Sequence, residues 1–154
     1  MPDLLVGATI RPADFPAAVF VQDGTLQNDI TTTAPATVGS PTLATTWVAP
    51  TSGRVIVVIG IGGRAGANGG RVFGIPETFL GTGPGGTNII PNTDDEQHGV
   101  STPEDVIDYC YVSRRSLLTG LTPGDTYYTR YVHWADNAGT ADITVRDLTI
   151  IPTT

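Results

Sequence analysis

The stretch Ser113-Arg-Arg-Ser-Leu-Leu-Thr-Gly-Leu-Thr-Pro-Gly-Asp-Thr-Tyr-Tyr128 decides the fold class. A β-type run reaches Leu121, and Thr122-Pro123-Gly124-Asp125 then suits a type II turn, with Pro at the second position and Gly accepting positive φ at the third. The chain resumes as the aromatic-rich strand Thr126–Trp134. After the turn Asp136-Asn-Ala-Gly139, Ala141, Ile143 and Val145 alternate with Asp142, Thr144 and Arg146. Leu148 and Ile150 then take the opposite parity, which predicts a bulge or bend near Arg146–Asp147.

Upstream, Trp47-Val48 begins a strand that Pro50 ends, and Thr51-Ser-Gly53 is a turn. Arg54–Ile61 is almost all Val and Ile, as in a central strand covered on both faces. Strands are also expected at Val106–Val112 and Arg115–Leu121. Residues 62–105 read as irregular, with Arg71-Val-Phe-Gly-Ile as one candidate strand and glycine-rich turns around it. About seven or eight strands joined by short turns predict an all-β, antiparallel two-sheet β-sandwich over residues 43–154. Jelly-roll and immunoglobulin/fibronectin-like strand orders are both open.

Residues 1–42 read as an extended Pro/Thr-rich N-terminal arm and linker. Pro2, Pro12 and Pro16 exclude a helix and disfavour a central strand. Leu4, Leu5, Val6 and Ile10, then Phe15, Val19, Phe20 and Val21, make the arm too apolar for a free tail, so it packs on its own domain or docks on a partner. Leu4, Leu5, Val6, Ile10, Arg11, Phe15 and Phe20 are the candidate partner-binding set. Residues 23–46 are expected to hold one or two short edge strands or a linker.

Composition agrees with a strand-and-turn protein: 154 residues contain 19 Gly and 12 Pro. All eight basic residues are arginines, and the net charge is -7. An acidic, lysine-free chain lacks the electrostatic footprint of a nucleic-acid or anionic-membrane binder. No apolar run reaches the roughly 20 residues of a membrane helix, and Met1-Pro-Asp-Leu-Leu-Val lacks the pattern of a signal peptide. The single cysteine, Cys110, excludes an intrachain disulfide and is expected to be a buried, inert thiol.

No motif in the chain carries catalytic chemistry. Val57-Val-Ile-Gly60-Ile-Gly62-Gly-Arg-Ala65 imitates a dinucleotide loop, but the glycine-rich sequence after it supports no helix, so its glycines are read as turn residues. Asp94-Asp95-Glu96 with His98 lacks the alternating ligand spacing of a calcium loop and reads as a solvated loop tip. There is no nucleophile elbow or Cys/His pair, and nothing gathers Asp105, Asp108 and Asp147 around a sugar. The expectation is a non-enzyme without cofactor or metal. Tyr109, Tyr111, Tyr127, Tyr128, Tyr131 and Trp134 read first as core and cross-strand pairs, with a sugar-stacking platform as the sharper alternative. Leu121, Pro123, Gly124 and Tyr127 fit a tyrosine corner. Arg114-Arg115 is a solvated pair or a contact for an acidic partner.

Trp47-Val-Ala-Pro-Thr-Ser-Gly-Arg-Val-Ile-Val, Leu117-Leu-Thr-Gly-Leu-Thr-Pro-Gly-Asp-Thr-Tyr and Thr144-Val-Arg-Asp-Leu-Thr-Ile-Ile-Pro resemble small virion proteins of tailed phages infecting actinobacteria. The opening Leu4-Leu-Val-Gly-Ala-Thr-Ile-Arg-Pro-Ala-Asp-Phe-Pro is similar to their N-terminal arm. The resemblance spans both ends and the middle but not residues 62–105. The Leu-Thr-Pro-Gly-x-x-Tyr stretch also resembles fibronectin type III domains. The virion resemblance implies a capsid decoration or minor capsid protein, made in the host cytoplasm and attached through its arm to the major capsid protein. A homo-oligomer, such as a trimer, would gain avidity on a repeating shell. The alternative is a tail or fibre module binding host glycan through the 62–105 loop and Trp134.

Overall fold

A computed structural model describes residues 16–35, 38–65, 70–93, 95–104, 108–136 and 141–153. Ten strands form two antiparallel sheets: β1 Val19–Asp23, β2 Gln27–Ile30, β3 Ala44–Val48, β4 Val55–Ala65, β5 Val72–Leu80, β6 Asn88–Ile90, β7 Val100–Ser101, β8 Cys110–Leu118, β9 Thr126–Ala135 and β10 Ala141–Pro152. A single helical turn, Asp95–His98, separates β6 from β7. Two pairs of short strands are each one edge strand broken in the middle. β1 and β2 both run antiparallel to β10, and β6 and β7 both run antiparallel to β5.

Counted this way, sheet A has the order β1/β2–β10–β4–β8 and sheet B the order β3–β9–β5–β6/β7. In sequence order of the eight resulting strands, sheet A is 1-8-3-6 and sheet B is 2-7-4-5, which is the double Greek key of a jelly roll. The immunoglobulin-like alternative is thereby set aside.

The core lies between the sheets. Sheet A contributes Val55, Val57, Ile59 and Ile61 from β4 and Ile143, Leu148 and Ile150 from β10. Sheet B contributes Trp47, Val72, Tyr127 and Tyr131. Trp47 stacks on Tyr127 at 5.0 Å and donates its indole N–H to Thr129 Oγ1 at 2.9 Å, so its polar edge is satisfied inside the core.

Several sequence expectations need correction. Residues 19–23, read with the arm, form the first half of the edge strand of sheet A, because Val19 and Val21 alternate onto the core, and Gln27–Ile30, within the stretch expected to hold short edge strands, forms the second half. Gly60, Gly62 and Gly63 are not turn residues but lie inside β4, which runs on to Ala65. The region 62–105 holds β5, an inner strand of sheet B. Pro76 is tolerated there because it falls between Gly74, opposite β7, and Thr78, opposite β6, where no strand flanks that side. The two strands expected across 106–121 are one strand, β8. The bulge in β10 falls between Ile143 and Val145, earlier than the charge pattern suggested. The extra residue, Thr144, donates its hydroxyl to the Gly62 carbonyl at 3.1 Å. The shift turns Arg146 inward, level with Leu148 and Ile150.

Candidate functional site

The outer face of sheet A carries two distinct surfaces. Because β1, β10, β4 and β8 are in register, residues with outward parity form rows across the sheet. One row is Ile151, Ile56 and Leu117, and the next is Phe20, Thr149, Val58 and Arg115. Phe20 is 60% exposed, Leu117 56% and Ile151 37%, with Ile56 and Val58 half-buried between them. The apolar run of β4 is thus covered on its core side only, and its outer residues extend an exposed apolar patch.

Toward the other end of the face the next row is Gln22, Asp147, Gly60 and Ser113. Tyr111, opposite Gly62, leans over this row. A Cβ on Gly60 would collide with the Tyr111 hydroxyl, and one on Gly62 would stand 3.7 Å from its Cδ2. The ring therefore lies along the backbone of β4, with its hydroxyl end in space that Gly60 leaves open. Its hydroxyl donates to Asp147 Oδ2 at 2.8 Å. Desolvation of the hydroxyl, helped by the Asp147 carboxylate, pushes its pKa up to about 12, so the ring stays neutral. The residue is 54% exposed.

Beside it, Asp142 accepts from Arg64 Nε at 2.8 Å and from the Asp29 amide at 3.0 Å. Burial raises the Asp142 pKa, but the amide and the guanidinium outweigh it and leave it below the usual carboxylate value. Arg64 also stacks over Tyr109, 4.8 Å from the ring centre. Cys110 is half-buried next to this cluster, and burial pushes its thiol pKa up.

The outer face of sheet B is different. Phe73 and Trp134 stack in parallel at 5.0 Å and 7°, and Trp134 is only 7% exposed. Ile75 and Val132 are fully covered, with Val38 packed against them. Trp134 therefore presents no free ring face. A shallow groove of about 430 Å³ at the β7–β8 edge is lined by Phe73, Val100, Val112 and Arg114, whose guanidinium donates to the Gly99 carbonyl.

Inside the sandwich, Arg146 is fully buried. It pairs with Asp23 and donates to the carbonyls of Val38 and Pro41 at 2.9 Å each, tying the β2–β3 crossover to the core. His133 is fully buried as well, with no hydrogen-bond partner for either ring nitrogen among the described residues. Desolvation, reinforced by the Arg146 charge, pulls its pKa down to about 4. The sequence reading singled out none of these inner charges.

Among the expected site residues, Leu4, Leu5, Val6, Ile10, Arg11 and Phe15 lie outside the described residues, and Phe20 lies on the apolar patch. At the corner, Tyr127 Oη accepts the Thr122 amide at 3.0 Å, Leu121 is buried, and Gly124 follows Pro123 with φ +83°. Asp94 lies outside the described residues, and His98 Nδ1 contacts Ser116 Oγ at 3.0 Å. Among the described residues, no group of three or more His, Cys, Asp or Glu is placed to hold a metal ion. Among the described residues, no helix is long and apolar enough to cross a membrane.

No protein-family model and no curated protein sequence match this chain. Solved structures do. A chain of the T13 particle of infectious bursal disease virus overlaps 99% of this chain at 13% identity and a TM-score of 0.53. A chain of the Gt strain of the same virus overlaps 90% at 10% identity and a TM-score of 0.50. In both cases this chain spans about a third, 34%, of the viral chain's length. The C-terminal carbohydrate-binding module of a laminarinase from Zobellia galactanivorans overlaps 86% of this chain at 12% identity, but its TM-score of 0.34 carries no argument. The viral likeness is one of fold, a two-sheet β-sandwich.

Proposed function

We propose that this chain is a structural virion protein, a decoration or minor capsid subunit that attaches to the shell of a phage particle. The observation that carries the reading is the apolar patch of Phe20, Ile56, Val58, Leu117 and Ile151 on the outer face of sheet A. A contiguous apolar face on a folded domain marks a surface that another protein covers. The jelly-roll fold, common in capsid subunits, supports the same reading by analogy. The partner is the major capsid protein of the same particle, and the subunit acts as a homo-oligomer, with a trimer as one form. The segment before β1 supplies a second attachment, gaining main-chain hydrogen bonds by adding to a sheet on a neighbour.

Binding of the purified protein to emptied shells, read by co-sedimentation and cryo-electron microscopy, tests this. The wild type is expected to decorate the shell. Leu117→Asp with Phe20→Asp is expected to remain folded and lose binding. Removal of residues 1–15, which leaves β1 in place, is expected to weaken it. Density at the tail alone, or full binding by the double variant, overturns the reading.

A further inference from the structure

The polar end of the same face has a different chemistry. We propose that Tyr111 is a stacking platform for a pyranose ring of a neutral polysaccharide, with the exposed Ser113 and Gln22 as its hydrogen-bonding rim and the buried Asp147 holding the ring in place. This goes beyond the structural role and does not depend on it.

Three observations converge. First, the ring is held flat. Gly60 leaves space beneath its hydroxyl end, and the bond to Asp147 fixes that end. Few conformations are lost when a ligand stacks on such a ring. Second, the residue is 54% exposed although its ring reaches from the edge strand β8 over the inner strand β4. Aromatic residues on strands usually bury their faces against cross-strand partners. Tyr111 instead has glycine as its direct cross-strand partner and again at Gly60.

Third, the surroundings match a sugar's two-sided chemistry. A pyranose has an apolar C–H face and hydroxyls around its edge. The platform centre is aromatic. The rim offers the hydroxyl of exposed Ser113 and the amide of exposed Gln22, in one row across the sheet with the buried Asp147 that anchors the ring. Asp147, the neighbouring Asp142 and the net charge of -7 disfavour an anionic ligand. The apolar patch begins one row away, at Phe20 and Val58, so the two surfaces adjoin on the same face.

The test is saturation-transfer NMR on the intact chain with gluco-, galacto-, manno- and xylo-configured oligosaccharides, followed by titration of any that bind. The expected result is saturation concentrated on the ring C–H protons of at least one sugar, with nuclear Overhauser contacts to the Tyr111 ring protons. Tyr111→Leu should weaken that binding by roughly tenfold or more, the size of one lost stacking contact. Tyr111→Phe should retain most of it. If the whole panel shows no transfer, or if Tyr111→Leu binds as well as the wild type, the proposal is overturned. The Overhauser contact is read on the unmodified chain, so a variant that misfolds leaves a decisive measurement in hand. Failure of shell binding would not affect this result.

Discussion

Arg146 and Asp23 form an ion pair inside the sandwich, between the last strand and the first, with the arginine side chain 0% and the aspartate 10% exposed. Breaking a buried pair leaves one uncompensated charge, at a cost of about 3–5 kcal/mol. Asp23→Ala is therefore expected to lower the melting temperature by roughly 10 °C or more. Arg146→Ala should do at least as much, because the Val38 and Pro41 carbonyls lose their donor too. The double change Asp23→Leu with Arg146→Met should recover most of the loss. Equal losses in the single and double variants would contradict this account.

His133 makes stability depend on pH. Its folded-state pKa of about 4 lies below the ordinary imidazole value of 6.5. The unfolded chain therefore takes up the proton first as pH falls. Stability from keeping the imidazole neutral is complete above pH 6.5 and is lost progressively down to about 4, a total of about 3 kcal/mol. Asp23 and Asp142, both held below the usual carboxylate value, add a loss at lower pH still. Denaturant melts from pH 7 to 4 should show the decline, and His133→Leu should flatten its upper part.

Two glycines with similar neighbours should respond differently to a methyl group. A Cβ on Gly74 would collide with the hydroxyl of Tyr131, which is fully buried and has nowhere to move. A Cβ on Gly60 would meet the Tyr111 hydroxyl, and that ring can swing into solvent. Gly74→Ala is expected to cost about 2–3 kcal/mol and Gly60→Ala about 1. Chemical denaturation of both variants checks the order.

Truncation should separate folding from attachment. Removing residues through Asp23 deletes β1, with Val19, Val21 and the partner of Arg146, and is expected to abolish cooperative unfolding. Stopping at Phe15 should keep it. Circular dichroism melts of the two truncations give the comparison.

The sandwich was legible because β4, β9 and β10 carry long β-branched or aromatic runs bounded by turns, and the parity slip in β10 announced its bulge. β5 was hidden by Gly74 and Pro76, which mark loops in most contexts. Here one accommodates the Tyr131 ring and the other fills a gap between two short partners. The bulge was misplaced because charge was taken as a sign of outward orientation, and Arg146 points in. The platform left one trace in the sequence: glycines at alternate positions in an apolar strand, Gly60 and Gly62, which signal a close approach from a neighbouring side chain. The identity of that side chain depends on strand order, which a single chain does not reveal.

Three of the four sheet edges are short or interrupted, and β8 is the exception. Its nine residues pair only with β4 among the described strands, leaving a long template of free backbone groups. Arg114 stands at its centre. If two copies paired this edge antiparallel about that centre, Arg114 would face Arg114, with Arg115 beside them. The repulsion discourages edge-to-edge dimers of identical subunits, yet an acidic or neutral strand from another protein would meet no such barrier. One charged position thus leaves this edge open to a foreign strand and closed to its own copy.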